Sequence, residues 1–262
     1  MMFLMLLTAG MLGVLATCRM DEVAWKFVRL IAIFCVALPA LVMSIYVARI
    51  GVGAAGWADI AAGLSLLCSI AAFVVTGLAP VADRIGRVVR MLAAGGACVG
   101  FASACAWGVH AGVLPSNASA MIPALLALAI SALLVGSVTL ATALGHAYLT
   151  QTAMTIQPMR RLARIFAIAI AARVAWAMAG TALGYAVNAH VTMSALTGQL
   201  FMLSVRVAVG LLIPSVFAYM VVETVRLRST QSATGILYFT LVLVYIGELS
   251  SLFLMKETGL SF

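Results

Sequence analysis

The chain has 262 residues, of which 65% are hydrophobic and 8% charged, and it carries a formal net charge of +8. Soluble domains run at about 45–50% apolar and about 25% charged, so this chain has too few charges to cover its apolar surface in water and reads as an integral membrane protein. Apolar runs of about 20 residues without the alternation of barrel strands exclude a β-barrel and predict an all-α, polytopic fold, a single transmembrane domain over 1–262.

Eight spans are expected, at 2–18, 28–48, 60–80, 90–109, 121–145, 165–187, 201–223 and 235–255. No Lys or Arg precedes the first, so it lacks the basic n-region of a secretory signal. "LATC" at 15–18 lacks that region too, and Thr17 is a poor residue to precede a lipidated cysteine. Pro39, Pro80, Pro123 and Pro214 fall in or near spans, where each removes a backbone donor and can kink a helix. In span four, "LAAGGACVGFASAC" (92–105) sets Gly95 with Gly100 and Ala94 with Cys98 as candidate helix–helix contacts. "NAS" at 117–119 matches a glycosylation acceptor, a short pattern that carries no weight in a bacterial host.

The loops sort the basic residues. Arg19, Lys26 and Arg29 follow span one, Arg84, Arg87 and Arg90 span three, Arg160, Arg161 and Arg164 span five, and Arg226 and Arg228 span seven. The alternate loops and the termini hold only Arg49 and Lys256. By the positive-inside rule both termini lie outside and the arginine-rich loops in the cytoplasm. The basic surplus is then a topology signal rather than a nucleic-acid surface. Dropping or adding one span would scatter it across both faces, which supports the count of eight.

Cys18, Cys35, Cys68, Cys98 and Cys105 are scattered along apolar runs with no CxxC, CxxCH or Cys/His spacing, so no metal site or covalent haem is expected from them. His110 and His190, at outer ends of spans four and six, are the weaker candidates for one bis-His haem. "LTQTAMT" (149–155) and "STQSATG" (229–235) share a TQ[ST]A turn that would suit a parallel duplication of the last four spans. No DDxxD, HExxH, GxSxG or P-loop is present, and Asp59, Asp83 and Glu223 form no visible carboxylate pair. Neither an enzymatic activity nor a cofactor is assigned.

Two groups of residues remain. The first is the stretch "GHAYLTQTAMTIQPMRRLAR" (145–164), where His146, Tyr148, Gln151, Arg160 and Arg161 could form a head-group site for a quinone or an anionic lipid. Its bland reading is an interfacial tyrosine, a polar turn and arginine anchors. The second is the set of intramembrane charges. Arg206 and Glu248 lie at similar depth and are expected to pair, as a structural ion pair or as a relay. Arg173, placed nearer mid-membrane with no acid at its level, is a candidate for contacting a ligand, a cavity or freed carbonyls.

Two functions follow. One is a membrane subunit of a larger, respiratory and quinone-interacting assembly, working through the cytoplasmic group. The alternative is a small transporter or channel using Arg173, Arg206 and Glu248. Either is expected in a bacterial inner membrane, in contact with the bilayer and without nucleic acid.

Overall fold

The computed structural model describes residues 1–20, 22–49, 56–115, 118–150 and 155–259, with side chains except at 81–83, 118–119, 150, 184–192 and 194–196. The structure is 91% helical, with no strand among the described residues. In chain order they form α1 (Met2–Thr17), α2 (Trp25–Arg49), α3 (Trp57–Leu78), a 3₁₀ turn (Ala79–Val81), α4 (Ala82–His110), α5 (Ala118–Thr150) and α6 (Gln157–Gly198). There follow α7 (Leu200–Ser204), a π-helical segment (Val205–Leu212), α8 (Ile213–Arg226) and α9 (Thr230–Thr258). Leu200–Arg226 crosses as one continuous span, so the described helices include seven long and apolar enough to cross a membrane, plus the short α1.

Length alone would not make α1 a crossing, because 16 residues extend about 24 Å against a hydrocarbon core of about 30 Å. Eleven of its residues are buried, however, and α2, α4 and α5 pack around it. It is an interior helix shielded by its neighbours. The outer surface is the reverse: Phe73 is 69% exposed, Phe201 73% and Phe239 72%. A belt of large apolar side chains at that exposure needs hydrocarbon around it, and the protein is an all-α polytopic membrane protein.

The bundle has two sides joined by α5. On one, α1, α2, α3 and α4 pack in succession; on the other, α6, the π segment, α8 and α9 do so, while α5 touches both α1 and the α6–α9 group. Close backbone approach makes these joints. A Cβ on Gly10 of α1 would overlap the Ala132 carbonyl of α5, and one on Gly136 would overlap Gly10. In the middle of α4, Gly96 packs against Leu12 and Ala71, and Gly100 against Cys68 and Ala9. Gly95, Ala94 and Cys98 are exposed, so Gly100 packs as expected but its partner on that face is Gly96, and the four-residue spacing begins two positions later than Ala94.

Met1, Met2 and Phe3 share one cleft with His110 at the end of α4 and with Leu252, Phe253 and Lys256 near the end of α9. At the opposite end, Arg161 Nη1 donates to the Thr17 carbonyl at 3.4 Å. The start of α1 and the end of α9 are therefore at one end of the bundle and the arginine-rich connections at the other, as eight passes require.

Candidate functional site

Pro214 explains the irregular stretch that positions the site. Lacking an N–H, it cannot bond back to the Gly210 carbonyl, and its ring crowds that carbonyl in a regular helix. The chain widens over Val205–Leu212 into π-helix, a form found mostly as single bulges at functional positions. Gly210 and Gly247 supply the second condition. A Cβ built on Gly210 would sit 2.5 Å from Gly247 Cα, and one on Gly247 would overlap Gly210 Cα. With two hydrogens in place of side chains, the π segment and α9 touch through their backbones. Arg206, one turn before Gly210, then faces Glu248, the neighbour of Gly247.

Glu248 is the centre of a buried cluster. Arg173, from α6, donates through Nε to Oε1 at 3.1 Å and through Nη2 to Oε2 at 3.2 Å, a two-pronged grip. Arg206 Nη1 donates to Oε1 at 2.9 Å. Ser131 of α5 donates its hydroxyl to Oε2 at 2.6 Å, and Arg173 Nη2 also reaches Ser251 Oγ at 2.8 Å. Arg173 is 2% exposed, Arg206 1% and Glu248 1%. Both carboxylate oxygens are fully engaged.

The arginines are not. Two guanidinium groups face one carboxylate, leaving an excess of one positive charge. Among the described residues, the buried side-chain nitrogens with no hydrogen-bond partner are Arg173 Nη1, Arg206 Nε, Arg206 Nη2 and Trp176 Nε1. An unmet buried donor costs about 1–3 kcal/mol, and more when charged. The four lie on α6 and the π segment, with Trp176 three residues beyond Arg173 and so on the same helix face.

Depth brings the three charges together. Arg173 is 16 residues into α6, which begins at Gln157, Glu248 is 18 into α9 from Thr230, and Arg206 is 20 before Arg226 at the end of α8. At about 1.5 Å per residue these are about 24, 27 and 30 Å from the arginine-rich end. Span six was expected to start at residue 165, and that offset is why Arg173 seemed to have no acid at its level. The i+3 positions of Ser251 and Trp176 relative to Glu248 and Arg173 were readable signals. Nothing in the sequence pointed to Ser131.

The head-group candidates divide into separate places. His146 is exposed, and its Nδ1 lies 3.0 Å from Tyr238 Oη on α9. Tyr148 is turned inward, its hydroxyl donating to the Thr155 carbonyl across the α5–α6 connection. Arg160 and Arg164 line two adjoining grooves. One, of about 260 Å³, is completed by Arg226, Val222, Val225 and Ala163. The other, of about 420 Å³, includes Arg19, Glu22 and Arg161. Arg161 also ties α6 to the end of α1 through Thr17 and stands 4.0 Å from Glu22. His146 lines neither groove. Gln151 and the rest of the first TQ[ST]A turn after Thr150, the last residue of α5, lie outside the described residues, as does Asn117 of the acceptor pattern.

His110 packs edge-on against Trp107, ring centroids 5.8 Å apart, and the side chain of His190 lies outside the described residues, so the pair is not seen together. No three His, Cys, Asp or Glu side chains among the described residues are grouped to hold a metal ion. A second buried polar cluster lies on the α1–α4 side. Ser65 and Ser103 hydroxyls are 2.8 Å apart, both reach the Ala61 carbonyl, and Trp107 Nε1 donates to Ser65 at 3.4 Å. Every donor in that cluster has an acceptor. No protein-family model, curated protein or solved structure matches the chain.

Proposed function

We propose that the protein is a small membrane transporter or channel whose binding site is the Arg173–Glu248–Arg206 cluster. The supporting observation is the imbalance within it: two fully buried arginines share one glutamate, and three of their guanidinium nitrogens have no partner. Charges inside a membrane protein are costly and usually serve a substrate path, a relay or a paired structural role. A purely structural role would be met by a neutral, saturated pair. The surplus charge and donors fit a site that a solute completes. The bacterial inner membrane is the proposed setting, with the arginine-lined grooves resting on anionic lipid head groups at the cytoplasmic side.

The test is flux in proteoliposomes loaded with mixed small organic and inorganic salts, read by potential- and pH-sensitive dyes. Dissipation of an imposed gradient by wild type, lost in folded Glu248→Gln, supports the reading. Wild-type vesicles as tight as protein-free ones would overturn it.

The quinone-interacting membrane subunit remains a second reading, on one observation: His146 and Tyr238 form an exposed, hydrogen-bonded pair near the arginine-rich end, and such donors suit a quinone carbonyl. Co-purification of a quinone, abolished by His146→Ala, would favour it; a quinone-free preparation would count against it.

A further inference from the structure

We infer that the unused edge of Arg206 binds the carboxylate of a small organic monoanion. The inference rests on the reading of the cluster as a ligand site and names what that site takes. A guanidinium group presents its Nε and one terminal nitrogen as a fork of parallel N–H bonds that matches the two coplanar oxygens of a carboxylate. Arg173 places that fork, Nε with Nη2, on Glu248. Arg206 touches Glu248 only through Nη1, so its own Nε and Nη2 remain together, buried and unpartnered. One arginine thus shows how a carboxylate is held in this interior, and the other offers the same edge to a second one.

Charge selects the class further. The cluster carries one net positive charge, so a monoanion brings it to neutrality, whereas a dianion would leave a net negative charge in the bundle. Water could accept from the N–H groups but would leave the charge uncompensated. A halide cancels the charge with a single acceptor atom and does not match a planar fork. A carboxylate offers two oxygens with about four acceptor positions, enough to take both N–H bonds of the fork, Arg206 Nε and Nη2.

The experiment is equilibrium binding to the full chain in nanodiscs at fixed ionic strength, by calorimetry and by thermal unfolding. The probes are sodium acetate, propionate, butyrate and benzoate, against chloride and phosphate. At least one carboxylate is expected to bind at least about tenfold more tightly than chloride or phosphate, a difference that corresponds to one well-made contact. Arg206→Lys, which keeps the charge and loses the fork, is expected to lose that preference, while Arg90→Lys, at an exposed position of α4, retains it. A wild type with no preference for any carboxylate, or an Arg206→Lys variant that keeps it, would overturn the inference. Should Arg206→Lys not fold, the carboxylate stretch of bound ¹³C-labelled ligand on wild type decides. A band displaced from its free position supports the fork and an undisplaced one overturns it. Carboxylate binding without flux would remove the transport reading and leave this inference standing; flux without carboxylate preference would do the reverse.

Discussion

On the α1–α4 side of the bundle, Ser65, Ser103, Trp107 and the Ala61 carbonyl close on one another; on the α6–α9 side, Glu248 is saturated while its two arginines are not. The first cluster is neutral and every donor is met, which is what helix packing in an apolar medium asks of buried polar groups. The second is charged and leaves N–H groups unmet, which packing alone does not ask for. Where two halves of one bundle bury polar side chains with such different completeness, the incomplete one is where function is to be sought. Small residues serve both sides, but differently. Gly96 and Gly100 meet mainly side chains, Gly10 and Gly136 meet backbone to backbone at the apolar α1–α5 joint, and Gly210 and Gly247 do so beside the charges.

The sharpest contrast comes from removing one member of each cluster. Glu248→Gln leaves two buried arginines without a counter-charge and is expected to cost about 3–5 kcal/mol, the penalty of breaking a buried ion pair from one side. Ser65→Ala removes a neutral partner, strands the buried Trp107 Nε1 without its acceptor, and should cost about 1–3 kcal/mol. Reversible unfolding in detergent compares them, and equal losses would erase the distinction between the halves.

The glycine joints give a smaller contrast. Gly247→Ala drives a methyl group into the Gly210 backbone and is expected to cost about 1–3 kcal/mol, while also drawing Arg206 away from Glu248. Gly96→Ala meets the flexible end of Leu12 at 3.0 Å and should stay below about 1 kcal/mol. Thermal unfolding of the two variants side by side checks the order. A Gly96→Ala variant that proved the more damaging would mean that the Gly210–Gly247 contact is not the tighter of the two.

Much of the architecture was legible in the sequence because membrane spans announce themselves by length and apolarity, and the alternation of arginines constrained their number. The facing of Arg206 and Glu248 was within reach for the same reason, since both interrupt apolar spans at similar distances from their outer ends. Arg173 was harder. Helix α6 begins at Gln157, eight residues before the apolar run starts at 165, because Arg160, Arg161 and Arg164 occupy its first turns. Hydropathy sees where a helix becomes apolar, not where it begins, and about 12 Å of depth was lost in the difference. The π segment was invisible, since it arises from Pro214 acting on a carbonyl four residues back while Gly247 of another helix presses against Gly210. The partners of His146 and Arg161, Tyr238 and Thr17, are 92 and 144 positions away. Only the assembled bundle shows that the opening stretch of head-group candidates belongs to different places.

Arg206→Met tests the central claim most directly, because it separates what the cluster does for the fold from what it leaves open. Without Arg206, the two-pronged Arg173–Glu248 pair and Ser131 remain as a neutral, nearly saturated group, and the surplus charge and two of the orphaned donors are gone. The account predicts a variant at least as stable as wild type, as replacing excess buried charge by an apolar side chain often gives, with carboxylate binding and flux abolished. A loss of stability comparable to that of Glu248→Gln would contradict it, making Arg206 a structural member of the cluster.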